Sequence, residues 1–390
     1  MKCWNVKLAT CVFCIGASCA IAAEARDATT ALQERIDVIA AGGGGTLTLT
    51  AGVYRTGALF FKPGVNLRLE KGATILGVDE GDAYPMRETR IEGETCVYYP
   101  ALINADGCDG FTVSGDGVID GHGLPTWKEF WKRRAEARKK GGDFANKSLM
   151  RPRLLYVSNS RNVDVSGITF RNSKFWTTHY YRCEDVRVHD CAIEAEVMDG
   201  VRGPSTDAID IDVCRRFCVS NVVMNVNDDA VVVKGGKGPW ADDYDKFPGN
   251  GPSEDVLVVD CTFKSVCHSC LTLGSECPAA TNIVLRGAKL EGPGNLLNLK
   301  MRSDTPQHYA KVLVEGCEGV CNTFLSVVRW SQYHDAKGRP TRELMSYADG
   351  VTMRGNKVVV NKVKRIAPSN GAYELKGLVI EDNEIKERGK

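Results

Sequence analysis

Asn162-Val163-Asp164-Val165-Ser166-Gly167-Ile168-Thr169-Phe170 opens on a polar residue, alternates apolar and polar positions, turns on a small pair and resumes as a second apolar run. The same form returns at Asp185-Val186-Arg187-Val188-His189-Asp190-Cys191-Ala192-Ile193 and at Asp255-Val256-Leu257-Val258-Val259-Asp260-Cys261-Thr262-Phe263. Period-two alternation over a few residues marks a strand with one buried face. The first two copies start 23 residues apart and the third follows at a longer interval. Units of about 20–40 residues that yield strands instead of helices point to a β-solenoid, in which each coil stacks on the last and buries one continuous core. A β-sandwich also has many short strands but does not need a repeated unit. The expected fold class is therefore all-β.

Short β-type runs extend from Thr46–Thr50 through Asn66–Glu70 and Phe111–Ser114 to Thr281–Leu285 and Lys311–Val314. Two segments break the pattern. Residues 27–41 are expected to form an N-terminal cap, since a solenoid needs covered ends. Residues 127–142, rich in Lys, Arg, Glu and Ala and closed by Gly141-Gly142, are expected to be an exposed helical insertion.

The chain has 390 residues, 40 glycines against 14 prolines, and a formal net charge of +1. Abundant glycine fits many tight turns. The charge balance excludes a basic nucleic-acid binder, because phosphate contacts dominate such affinity. A neutral chain can still bind an acidic sugar polymer if its cations gather in one cleft.

Residues 1–22 have the form of a signal peptide: Lys2 and Lys7, an apolar run from Leu8 to Ala22, and a small-residue site at Ala20-Ile21-Ala22. A secreted or periplasmic protein is expected, with a lipid anchor at Cys19 as the lesser alternative. No run elsewhere reaches the ~20 apolar residues of a membrane span. Twelve of the 16 cysteines follow the leader. Cys267 and Cys270 lack a second pair at zinc spacing, and most cysteines are expected to fill the core as small apolar residues.

Ser205-Thr206-Asp207-Ala208-Ile209-Asp210-Ile211-Asp212 and Asn227-Asp228-Asp229-Ala230 carry the chemistry. Asp207 and Asp228 are 21 residues apart, about one coil, so they are expected to stack on adjacent coils with Asp229 beside them. Crowded carboxylates push one pKa up, which leaves one acid protonated and another ionised, the division glycoside hydrolysis requires. Taken alone, the cluster equally fits a calcium site or turn aspartates. His268 and Lys300 fall on later repeats, where the coils would bring them beside the aspartates and supply cations for an anionic sugar.

Four segments in this order are similar to the motifs of glycoside hydrolase family 28, the polygalacturonases and rhamnogalacturonan hydrolases. They are Ser205-Thr206-Asp207, Asn227-Asp228-Asp229, Cys267-His268-Ser269 and Asn298-Leu299-Lys300. Gly115–Gly123, Phe175–His179 and Leu271–Glu276 resemble further family segments, and the likeness runs from about residue 45 to 330. The resemblance implies a single-stranded right-handed parallel β-helix, with residues 23–390 as one catalytic domain. It implies an inverting hydrolase of galacturonan or rhamnogalacturonan that needs no metal or other cofactor.

By position, Asp228 resembles the general acid and Asp207 and Asp229 the pair that activates water. His268 resembles the residue that tunes the acid, and Lys300 the cation that holds a substrate carboxylate. Lys234 and His179 are candidate secondary sugar contacts. The family's arginine is replaced by Asn298, which cannot make a bidentate grip on a carboxylate. Either Arg302, two positions along the same strand face, substitutes for it, or the subsite holds a neutral sugar such as rhamnose. The loop 235–253, with Trp240 and Tyr244, is expected to wall off one end of the cleft and favour attack at chain ends. The expected partner is a pectic polysaccharide or oligosaccharide, bound by a monomer. The alternatives are a pectate-lyase-like β-eliminase and a non-catalytic carbohydrate-binding β-helix.

Overall fold

Three columns of apolar side chains explain why the chain coils. The first runs Leu47, Leu67, Val113, Val165, Val188, Val219, Val258, Leu285, Val314, Met353, each paired in register with the next on a parallel strand. The second runs Ile75, Ile119, Phe170, Ile193, Met224, Phe263, Leu290. The third runs Phe61, Ala105, Val157, Tyr180, Ile211, Val233, Leu273, Leu299, Val327. All point inward and form one core. Each column belongs to one of three long parallel sheets, of 12, 11 and 10 strands, and the chain visits them in turn. This is a right-handed parallel β-helix. The computed structural model describes residues 27–79, 81–330 and 344–389; the expected leader, residues 1–22, lies outside them.

The first run of each quoted repeat lies on the first sheet and the second run on the second sheet, and the copy of the first run between the second and third repeats is Arg215–Ser220. Its alternation is spoiled by Cys218 and by Arg216 at the turn. The turn position is left-handed in every coil: Asn162, Asp185, Arg216, Asp255, Asn282 and Lys311 have φ between 52° and 56°. Asn and Asp tolerate that region and Arg does not gain from it. Arg216 is held there by a fork of hydrogen bonds to Asp185 at 2.6 and 2.8 Å.

The N-terminal cap is a helix, Thr29–Ala41, that buries Leu32 and Ile36 against the first coil. The insertion is a helix over Gly123–Lys139, starting four residues before the expected 127. It is not merely exposed, because Trp127 and Phe130 are fully buried and Trp127 donates to the Ser173 carbonyl. The twelve cysteines among the described residues are all free, and ten are buried.

One feature departs from the coil pattern. Strands Arg87–Ile91 and Glu94–Tyr98 form an antiparallel hairpin outside the three sheets. Its tip, Gly93, has φ +74°, and a Cβ there would lie 2.7 Å from the Glu276 side chain and 3.0 Å from that of Lys237. The hairpin therefore lies flat over the third sheet. Beneath it the outward face of that sheet is buried although it is polar: His179, Asp210, Asp212, Lys234 and Glu276 are all covered.

Candidate active site

Where the hairpin ends, the third sheet opens into a cleft of about 770 Å³ lined by Arg202, Asn227, Asp228, Asp229, His268, Asn298, Lys300, Trp330 and neighbours. Its floor is built by strand ends. Strands Ile209–Asp212, Val231–Lys234, Ser269–Leu273 and Asn295–Arg302 lie side by side, with Asp207, Asp228, Asp229 and His268 in the turns that lead into them.

The register places the aspartates differently from the 21-residue expectation. Ile209 pairs with Val231, an offset of 22, and the Ala208 amide donates to the Asp229 carbonyl. Asp207 is thus level with Asp229, and Asp228 projects from the preceding turn position. Asp229 is 1 % exposed and its Oδ2 accepts from Lys300 Nζ at 2.6 Å. Asp228 faces the cleft. Its Oδ1 takes the Asp229 amide at 3.0 Å and lies 3.3 Å from His268 Nδ1. Asp207 is buried, and its Oδ1 has no hydrogen-bond partner.

Burial and the nearby charges of Asp228 and Asp210 raise Asp207 well above the ordinary carboxylate range. Burial also pushes Asp228 up, but the His268 hydrogen bond and the His268 and Lys300 charges outweigh it and hold Asp228 at about 2. The Asp228 hydrogen bond in turn raises His268, against burial and the Arg202 charge. Burial opposes the Lys300 charge, and Asp229 and Asp228 more than restore it. The trio thus holds both protonated and ionised carboxyls in one place.

Asp228, Asp229 and His268 could ligate a metal, since one atom of each lies within 4.8 Å of the others. The Lys300 ammonium on Asp229 competes directly with any cation there, so the donor set fits a metal poorly.

Three expected contacts lie elsewhere. His179 is fully buried under the hairpin, bridging Arg153 at 2.6 Å and Asp212 at 3.4 Å. Burial lowers it to about 3, so it is a neutral structural link and not a sugar ligand. Lys234 is spent between Glu276 at 3.3 Å and Asp210 at 3.5 Å, with Trp176 4.4 Å below it. Arg302 does share the strand face of Asn298 and Lys300. However, it is buried and gripped by both oxygens of Asp304, at 2.6 and 2.7 Å, so it does not replace the missing arginine in the cleft.

The loop 235–253 does not line the cleft either. It packs beside the hairpin, where Arg90 binds the Gly235 carbonyl and Asn250 Oδ1. The hairpin, which alternation did not reveal, covers the earlier coils of the third sheet, and none of its residues lines the cleft. Sequence reading also missed Arg202, which reaches His268 Nε2 and the Asn227 carbonyl, and Arg329, Trp330 and Arg365 at the far end of the cleft. No motif marks them; only coil stacking brings them there. A second cavity of about 430 Å³, lined by Arg87, Arg182, Tyr156 and Tyr181, lies on the other side of the hairpin.

Comparison with known proteins agrees with this architecture. The family model for glycosyl hydrolases family 28 matches residues 87–276. A probable polygalacturonase of Vitis vinifera is 27% identical over 240 residues, which are 60% of this chain and 45% of that one. An exopolygalacturonase of Zea mays is 26% identical over 175 residues, 40% of this chain and 38% of its own length. The matched region thus spans less than half of each of these relatives. The exopolygalacturonase from Thermotoga maritima superposes with a TM-score of 0.65 at 21% identity, over 92% of this chain and 84% of that one, a likeness of fold. Among the described residues no helix is long and apolar enough to cross a membrane. The motifs, the coil and the family model agree, and over residues 87–276 the chain is similar to glycosyl hydrolases family 28.

Proposed function

We propose that the protein hydrolyses glycosidic bonds of a pectic polysaccharide, a galacturonan or a rhamnogalacturonan, with inversion at the anomeric carbon. The observation that carries this is Asp228 and Asp229 at the floor of an open cleft with Asp207 buried beside them, Asp207 raised and Asp228 lowered, and the group flanked by His268 and Lys300.

Asp228 is the trio member most open to the cleft and serves as the proton donor to the leaving oxygen. In the empty site it is ionised against His268, so the pair shares the proton that Asp228 must deliver, and the two titrate together. The glycosidic oxygen displaces water from Asp228 and favours its neutral form. Asp229 and Asp207 hold the water that attacks the opposite face. Lys300 holds Asp229 in place and offers its charge to a substrate carboxylate.

His268 is raised, so its protonated form persists above its ordinary range and is lost as pH rises. Activity should fall on the alkaline side through that raised pKa. His268→Ala should lower kcat about 10²-fold and shift the alkaline limb; a pH–rate profile of wild type and variant checks both.

The hairpin Arg87–Tyr98 covers the outward face of the third sheet on the coils before the cleft, which supports attack at chain ends. The earliest products from a long galacturonan should then be mono- or disaccharides, resolved by chromatography at low conversion. A pectate-lyase-like eliminase would instead give an unsaturated, ultraviolet-absorbing product and stop with chelator. Here we expect neither.

The leader-like residues 1–22 support export, to the medium or the periplasm. The mature chain is expected to begin at Ala23 or Glu24, a mass readable by intact-protein mass spectrometry of exported material.

A further inference from the structure

The cleft does not end at Lys300. Its floor continues onto the next two coils along a register column, Thr272 to Asn298 to Ser326 to Arg365. Strands in a sheet are about 4.8 Å apart, so Arg365 starts about 10 Å beyond Asn298, on the same outward face. Arg365 and Arg329 both line the cleft and are exposed. Neither has an ion-pair partner among the described residues. Trp330 stands beside them, its ring 4.5 Å from Lys300 Nζ, and its indole N–H is buried without a hydrogen-bond partner.

Asn298 has the complementary peculiarity. It is 6 % exposed, lines the cleft, and its Oδ1 has no hydrogen-bond partner. Thr272 Oγ1, next to it in the column, is also unpartnered. A buried acceptor left unpaired costs about 1–3 kcal/mol unless something donates to it. A sugar hydroxyl can donate to a carbonyl oxygen; a carboxylate cannot.

We infer that the far end of the cleft is an anion subsite, in which Arg329 and Arg365 take the carboxylate of a uronate unit beyond Lys300. Asn298 accepts a hydroxyl hydrogen from the nearer unit. Trp330 walls the subsite and offers its face to a sugar ring and its N–H to a hydroxyl. The carboxylate grip lost at position 298 is thereby moved along the solenoid to a later coil. A guanidinium suits this task because its fork matches a carboxylate in two bonds. The inference rests on the reading of the protein as a pectic hydrolase and names which unit of the polymer it recognises by charge.

The test is steady-state kinetics of the wild type and of the Arg329→Gln/Arg365→Gln double variant on galacturonate oligomers of increasing length. The same oligomers with methyl-esterified carboxyls form the second arm. For the wild type, KM should fall with length until the far subsite is filled, and esterification should cancel that gain. For the double variant, KM on the longest oligomer should rise about tenfold (about 1.4 kcal/mol) relative to its change on the shortest, with kcat moving less than KM. Arg365→Lys, which keeps the charge and loses the fork, should fall between and guards against a folding defect in the double variant. Equal KM changes at every length, or a wild type indifferent to esterification, overturns the subsite while leaving the hydrolase reading standing. A wild type that turns over no pectic oligomer overturns the hydrolase reading, and the subsite with it.

Discussion

Asp228→Asn is expected to lower kcat on pectic oligomers by about a thousandfold, within the 10²- to 10⁴-fold that a positioned proton donor contributes. The reason lies in what the amide keeps and loses. Asn keeps the size, and its oxygen can still accept the Asp229 amide and face His268 Nδ1, the two contacts of Asp228 Oδ1. It cannot give a proton to a leaving oxygen. The fold should be indifferent, because Asp228 sits in an open turn and fills no core column. KM should change much less than kcat. The variant also loses the charge that raises His268, so what activity remains should fail at lower pH than in wild type. Steady-state kinetics across pH with thermal melting as control checks all three; a variant with unchanged turnover on every pectic substrate removes Asp228 from the mechanism.

The largest stability effect is expected at a residue that motif reading placed among the sugar contacts. Lys234→Met should destabilise the protein by about 3–5 kcal/mol, the usual consequence of removing one partner from a buried charge network. Lys234 is the cation between Asp210 and Glu276, all three nearly inaccessible to water. Burial raises Asp210 to about 7 even with Lys234 beside it, while Lys234 and Arg302 hold Glu276 far below the carboxylate range against burial. Without the ammonium, Asp210 can stay buried only by binding a proton. A group whose folded pKa is raised loses its favourable contribution as pH rises through that pKa. The deficit of Lys234→Met relative to wild type should therefore be greater at pH 8 than at pH 5, measured by denaturant titration at both. A variant as stable as wild type at pH 8 contradicts the network.

The core of this fold was legible because a solenoid repeats its demands. Val165 and Val188 occupy one column, and their flanking residues show the same alternation. Arg215–Ser220 escaped notice because an arginine fills the left-handed turn position where its neighbours use Asp or Asn. The hairpin Arg87–Tyr98 escaped for the opposite reason: it lies on the surface of another sheet, and its buried residues, Thr89, Arg90, Ile91 and Tyr98, are mostly consecutive and partly polar, so burial imposes no period of two.

The site divides the same way. That Asp207, Asp228, Asp229, His268 and Lys300 come together was legible because the coils that carry them could be counted, although the count was off by one residue, 21 against an observed offset of 22. His179, Lys234 and Arg302 were misread because residue type alone does not show that the hairpin covers that face of the sheet or that Asp304 grips Arg302. Arg329 and Arg365 were invisible because nothing local distinguishes them from any surface arginine. Their place in the cleft depends on two further coils stacking in register.

The central claim, hydrolysis with inversion by the aspartate trio, is tested most directly by proton NMR of a defined galacturonate oligomer during its first minutes with the wild-type protein. The account predicts that the new reducing end first appears in the anomeric form opposite to that of the bond cleaved, in chelator as in its absence, with no unsaturated product. A new end that first appears with the original anomeric form, or an unsaturated sugar in its place, would contradict it.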